Sequence, residues 1–168
     1  MAKTQKKLAL SAGHQVVATN RIARRDYEIL ESIECGIELR GSEVKSLRES
    51  QVQLADAYAR VERSEMWLHG LHIGAYSHSG GFDSHLPIRP RKLLMHRAQI
   101  DDWRARTDQE HLALVPMSIY FKDGKAKVEL ALARGRKAYD KRQAIAKRDA
   151  EFEARRTDAR NTKYGSHA

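Results

Sequence analysis

A single cysteine, Cys35, occurs among the 168 residues. No intramolecular disulfide can form, so a disulfide-stapled secreted domain is excluded and a reducing compartment is expected. No apolar run approaches the roughly 20 residues that a membrane helix needs. The first ten residues carry Lys3, Lys6 and Lys7 but lack the apolar stretch of a secretory leader. A cytoplasmic protein without membrane association is the expectation. Glycine-rich phosphate loops of Walker or dinucleotide type are also missing. Aromatic residues amount to only 7%, which counts against a sequence-tolerant single-strand binder, because such a protein stacks successive bases on exposed rings.

Catalytic and metal-binding groups are equally scarce. Cys35 stands alone, and a lone cysteine is usually a small packed residue rather than a nucleophile. Asp101 and Asp102 are helix neighbours pointing about 100° apart, so they form no carboxylate dyad. Eight histidines are present, yet His69 and His72 read as residues of one strand facing opposite sides. His78 and His85 have no second ligand pair at a zinc-like spacing. The expectation is therefore no catalytic residue, no metal, no cofactor and no enzyme.

What remains is basic charge on a chain with enough apolar residues for a core. Hydrophobic residues make up 41%, and Lys and Arg number 31 against 22 acids, a net charge of +9. Such a surplus concentrates polyanions near the surface, and nucleic acid is the usual partner. The surplus is uneven. From residue 134 to 168 there are 11 Lys or Arg against 5 acids.

Residues 1–13 read as a flexible basic tail ending at Gly13. Residues 14–132 read as the folded part. Tyr27 to Glu34 is rich in large apolar residues, Gly36 breaks it, and Ile37 and Leu39 then alternate with Glu38 and Arg40, suggesting strand, turn, strand. Ser42 is a candidate N-cap for a short helix to about Glu49. Ala57, Ala59 and Val61 form one arm of a hairpin turning near Ser64, and a second strand runs from Met66 to Ile73. A long loop spans Ser77 to Arg91, with Gly80, Gly81, Pro87 and Pro90. Leu93, Ile100 and Trp103 fall at helical spacing. The clearest pair is Val115, Met117, Ile119 and Phe121 joined through Asp123-Gly124 to Val128, Leu130 and Leu132. About six strands in successive hairpins with two or three short helices predict a mainly β fold, an OB-like antiparallel barrel.

Residues 133–168 carry few apolar anchors, chiefly Tyr139, Ile145, Phe152 and Tyr164. A helix there buries little and is marginal alone in water, so a tail disordered when free and ordered on a polyanionic surface is expected. Tyr139 stands amid Arg136, Lys137, Asp140, Lys141 and Arg142, where an exposed ring serves as a base-stacking group. Packing on the barrel is the plain alternative. The pairs Asn20-Arg21, Arg24-Arg25, Lys45 with Arg48, and Arg89 with Arg91-Lys92 form candidate phosphate-contacting patches.

Three runs carry a family resemblance: N-R-I-A-R-R-D-Y-E-I at 20–29, E-C-G-I-E-L-R-G-S-E-V-K-S-L-R at 34–48, and G-R-K-A-Y-D-K-R at 135–142. Together, and in this order, they resemble the SmpB family, the tmRNA-binding proteins of bacterial trans-translation, over about residues 14–150. The resemblance implies an OB-like barrel that binds the tRNA-like domain of tmRNA. It also implies a C-terminal tail that acts in the small-subunit decoding centre and becomes helical in the empty mRNA channel of a stalled ribosome. Asn20 and Glu34 would contact the RNA, with Arg21, Arg24, Lys45, Arg48, Lys92 and Lys127 in support. Arg136, Lys137, Tyr139, Asp140, Lys141 and Arg142 would act at the decoding centre. Elongation factor Tu and alanyl-tRNA synthetase are implied as indirect partners through tmRNA, and a monomer is expected. An acid is a poor phosphate ligand, but Glu34 can accept hydrogen bonds from base amino groups. The tail departs from the family pattern after Arg148, where Glu151, Glu153 and Asp158 dilute its charge. A general OB-fold RNA-binding module or RNA chaperone is the alternative, and a structural ribosomal protein is a third.

Overall fold

In a computed structural model, residues 13–76 and 85–164 are described, without the side chains of 138–141 and 158–164. The expected N-terminal tail, apart from Gly13, and the loop residues His78, Gly80 and Gly81 lie outside the described residues.

The strands are β1 (His14–Thr19), β2 (Tyr27–Ile37), β3 (Val52–Gln53), β4 (Tyr58–Glu62), β5 (Glu65–His69), β6 (His72–Ile73), β7 (Arg91–Leu94), β8 (Ala113–Lys122) and β9 (Lys125–Gly135). The helices are α1 (Arg21–Asp26), α2 (Gly41–Arg48), α3 (Arg97–Glu110) and α4 (Ala138–Tyr164). Antiparallel pairing runs β8-β4-β5-β7-β2-β9 and returns from β9 to β8, closing a ring of six strands, with β1 added alongside β8. This is the expected OB-like barrel. Bulges at Ile29/Glu31 of β2 and Pro116/Ser118 of β8 supply the bends that closure requires. Pro116, which has no N–H to give a ladder, sits at one of them.

The β8–β9 hairpin turns at Asp123-Gly124, both residues having positive φ, as the sequence predicts. Three expectations are corrected. Gly36 does not break a strand: β2 runs through it, and a Cβ there would stand 3.3 Å from the Leu94 side chain, so glycine permits the close approach of β7. The stretch from Met66 to Ile73 is not one strand, because Gly70 turns with φ +70° and a Cβ would meet the Asp56 carbonyl oxygen at 2.4 Å. His69 and His72 therefore lie on separate strands. Leu93 belongs to β7 and not to the helix, which begins at Arg97 and buries Ile100 and Trp103. β1 and α1, each of only six residues, are not foreseen in the sequence, nor are the shorter strands β3 and β7.

Leu47, Met66, Leu68, Leu71, Ile73, Leu93, Trp103, Ile119, Leu130 and Leu132 are fully buried in one cluster inside the barrel. A smaller cluster of Ala23, Val115, Met117 and Ala131 lies where α1 covers β8 and β9. Covering on both sides explains why Leu114–Phe121 is buried throughout rather than alternately.

One buried ion pair fastens α2 to the barrel. Glu43 and Arg91 are both inaccessible and 2.9 Å apart, and Arg89 pairs with the same carboxylate. Arg91 also donates to the carbonyls of Leu71, Pro87 and Arg89. Burial alone would push the Glu43 carboxyl up. Hydrogen bonds from Arg89, the Arg40 amide and Arg91 outweigh that and hold it below its ordinary value.

The strands continue to Gly135, past the boundary expected at Leu132. The basic segment beyond is the helix α4, whose described side chains are almost all exposed. It meets the rest of the fold chiefly at α1, and the Arg136 amide donates to the Asp26 carbonyl at 2.9 Å at its root.

Candidate nucleic-acid interface

Glu34 lies on the outer side of β2, opposite Glu129 of β9, while its neighbours Ile33 and Cys35 face the core. Its carboxylate collects cations and a phenol from neighbouring strands. Tyr120 of β8 donates its hydroxyl to Oε2 at 2.7 Å, Lys122 donates to the same oxygen at 3.0 Å, and Lys127 of β9 stands 4.0 Å from Oε1. The Tyr120 hydrogen bond is the main reason the Glu34 carboxyl is held low, with Lys122 and Lys127 adding to it. Glu34 is thus an ionised acceptor at neutral pH.

Beside it opens a cleft of about 700 Å³ whose walls include Glu34, Gly36, Lys92, Leu94 and Lys127, with Arg97 and Gln99 at its α3 side. Leu94 is 54% exposed. An apolar patch at this position, next to a glycine that brings β2 and β7 close, offers a flat contact to an aromatic ring. The lysines beside it are partly spoken for: Lys92 pairs with Glu65 at 2.6 Å and Lys122 with Glu34. The cleft therefore combines an apolar contact, cations and one aimed carboxylate, a set suited to a nucleobase on a charged backbone rather than to a phosphate alone.

The other expected residues fall in three places. Lys45 and Arg48 are exposed on α2; Lys45 lies over the ring of Tyr76 at 5.4 Å and Arg48 over Phe121 at 5.8 Å. Phe121 packs with the core, on the opposite side of β8 from Tyr120 and Lys122, so this contact does not bring Arg48 to the Glu34 carboxylate. Arg21 and Arg24 are exposed on α1, the helix that α4 meets and whose Asp26 carbonyl accepts from the Arg136 amide. Tyr139, Asp140 and Lys141 are in the first turn of α4, their side chains outside the described residues, and Arg142 is exposed.

Asn20 is not at the surface. It is 3% exposed; its amide donates to the carbonyls of Leu54 and Pro116 at 3.1 Å, and its Oδ1 accepts from the Ala23 amide at 3.0 Å as the N-cap of α1. Both amide hydrogens and the oxygen are used inside the fold, so its side chain holds α1 in place rather than reaching a ligand. Arg91, read as part of a phosphate patch, is likewise buried against Glu43. Tyr120, Lys122 and Leu94 were not singled out in the sequence. Alternation on β8 puts Tyr120 and Lys122 on one side, but their meeting with Glu34 needs the β2–β9–β8 register, which no local pattern contains.

Cys35 donates its thiol to the Val128 carbonyl at 3.4 Å, and burial pushes its pKa up to about 12. A thiolate is absent at neutral pH. His69 meets Glu62, and His85 is buried between the Ser42 hydroxyl and the Ile73 carbonyl. Among the described residues no three His, Cys, Asp or Glu side chains gather to hold a metal ion, and no helix is long and apolar enough to cross a membrane.

Residues 17–160 match the family model described as SmpB protein. The chain is 54% identical over 151 residues to the SsrA-binding protein of Mycobacteroides abscessus, covering 90% of this chain and 94% of that one. Identity to the SsrA-binding protein of Mycolicibacterium smegmatis is 54% over 157 residues, covering 94% and 97%. A solved structure described as "tmRNA-SmpB: a journey to the center of the bacterial ribosome" superposes with a TM-score of 0.63 at 44% identity, over 80% of this chain and 95% of that chain. The chain belongs to the SmpB protein family.

Proposed function

We propose that this protein is an RNA-binding adaptor of ribosome rescue: its barrel binds the tRNA-like domain of tmRNA, and its C-terminal helix acts in the decoding centre and mRNA channel of a stalled ribosome. The observation that carries the reading is the Glu34 cleft, where an ionised carboxylate, Lys92, Lys127 and exposed Leu94 converge on the barrel of a family whose relatives are called SsrA-binding proteins. Lys45 and Arg48 add exposed basic charge on α2. Arg21 and Arg24 stand on α1, which meets the tail, where Arg136 and Lys137 lead into α4 and Tyr139, Asp140, Lys141 and Arg142 lie in its opening residues. In this role the chain performs no chemistry of its own. It positions an alanyl-charged RNA, and elongation factor Tu and alanyl-tRNA synthetase meet it only through that RNA.

A general single-strand binder draws less support. Among the described residues Tyr58 is the one strand aromatic that is exposed, too little for a stacking platform. The test is binding to tmRNA against excess elongator tRNA at two salt concentrations, since phosphate contacts alone weaken steeply with salt. Binding that survives both competitor and salt is expected. Loss to elongator tRNA would leave a general polyanion binder.

A further inference from the structure

We propose that Tyr120 is a positioning residue for recognition: its hydroxyl aims the Glu34 carboxylate so that Oε1 is presented to an exocyclic amino group on a nucleobase in the cleft. This rests on the reading of that cleft as the tmRNA site.

The two carboxylate oxygens are unequally occupied. Oε2 accepts from the Tyr120 hydroxyl at 2.7 Å and from Lys122 at 3.0 Å. Oε1 has Lys122 at 3.2 Å and Lys127 at 4.0 Å. Lys127 lines the cleft, so the oxygen with acceptor capacity to spare is the one on the cleft side. A carboxylate held by lysines alone would be neutralised without being aimed, because an ammonium on a four-carbon stem imposes little direction. Tyr120 differs in being fixed. It is 6% exposed, it sits on the strand between β1 and β9, and the His14 ring packs against it with centroids 4.2 Å apart. A phenol locked in this way loses little further freedom in making its hydrogen bond, so it sets the carboxylate's orientation.

The surrounding charges agree. Burial and the Glu34 carboxylate both push the Tyr120 phenol up, so it remains a donor. The groups facing Glu34 are Tyr120 and Lys122 from β8 and Lys127 and Glu129 from β9, with His14 of β1 behind Tyr120. Glu129 is occupied by the Ser118 hydroxyl at 2.9 Å, and the Lys92–Glu65 pair lines the same cleft.

Tyr120→Phe removes one oxygen and leaves the packing shape. Two readouts on the full-length chain decide the matter. In the free protein, NMR titration of the Glu34 side-chain carboxyl is expected to move up in the variant, toward the ordinary glutamate range. In binding, affinity for tmRNA at pH 7 is expected to fall about tenfold, the scale of one hydrogen bond to a charged group. Affinity for elongator tRNA should hold, and the tmRNA deficit should widen as pH falls toward 5. An unmoved Glu34 titration overturns the positioning. A moved titration with unchanged tmRNA affinity overturns the recognition role. A wild-type chain that does not distinguish tmRNA from elongator tRNA overturns the tmRNA reading and this role with it, while the titration still reports on the hydrogen bond by itself.

Discussion

A carboxylate placed among lysines weakens phosphate attraction and adds a directional acceptor in exchange. That trade gives Glu34→Gln a signature that distinguishes recognition from bulk charge. Affinity for tmRNA should drop about tenfold, whereas affinity for elongator tRNA, measured in the same competition assay, should hold or rise. A rise for both would make Glu34 merely an unfavourable charge. Asn20 behaves differently because its side chain is spent inside the fold. Asn20→Ala removes an N-cap and leaves the Leu54 and Pro116 carbonyls without their donor, so urea unfolding should show a loss of about 1–3 kcal/mol. Any loss of RNA binding should follow from a displaced α1. Equal stability with weakened binding would instead return Asn20 to the surface role that its sequence motif implies.

At the scale of elements, the attachment of α2 sets how Lys45 and Arg48 are presented, and that attachment is the Glu43–Arg91 pair. Glu43→Ala strands a buried guanidinium and should cost about 3–5 kcal/mol in chemical denaturation. A Glu43→Leu, Arg91→Met double variant should recover part of that loss, because no buried charge is then left unpaired, while the Leu71, Pro87 and Arg89 carbonyls lose their donor. The pH dependence has a defined sign. Glu43 and Glu34 have folded-state pKa values below their unfolded value of about 4.3, so their stabilisation is complete above that value and is lost as pH falls through the folded values. The unfolding free energy should therefore decline below about pH 4.3, and less steeply in the double variant. Element by element, the β8–β9 hairpin was legible because alternation and Asp123-Gly124 agree. The short β1 and α1 were not: α1 holds less than two helical turns, and Val16, Val17 and Ala18 of β1 show no alternation. The continuity of β2 through Gly36 was hidden as well, because it depends on Leu94 approaching from another strand.

Taken as a whole, the molecule divides into a closed barrel carrying the Glu34 cleft and a long basic helix with little attachment beyond α1. The charge asymmetry that marks this division was plain in the sequence: Arg134 to the end holds a surplus of six positive charges out of +9. The barrel class was legible too, from strand count and turn spacing. The site was legible only through the resemblance, because composition marks Glu34 as an unpromising acid and Arg91 as an ordinary surface cation. Burial and cross-strand register decide both, and neither is a local property. The division predicts separable roles. The most direct test compares the full chain with a chain ending at Lys137, which keeps all of β9, for tmRNA binding and for tagging on stalled ribosomes in one reconstituted system. The shortened chain should bind tmRNA within about twofold of the full chain, a difference of about 0.4 kcal/mol, and support no tagging. Tagging at the full-chain rate without α4, or loss of tmRNA binding with it, would contradict an adaptor whose barrel holds the RNA and whose tail acts in the ribosome.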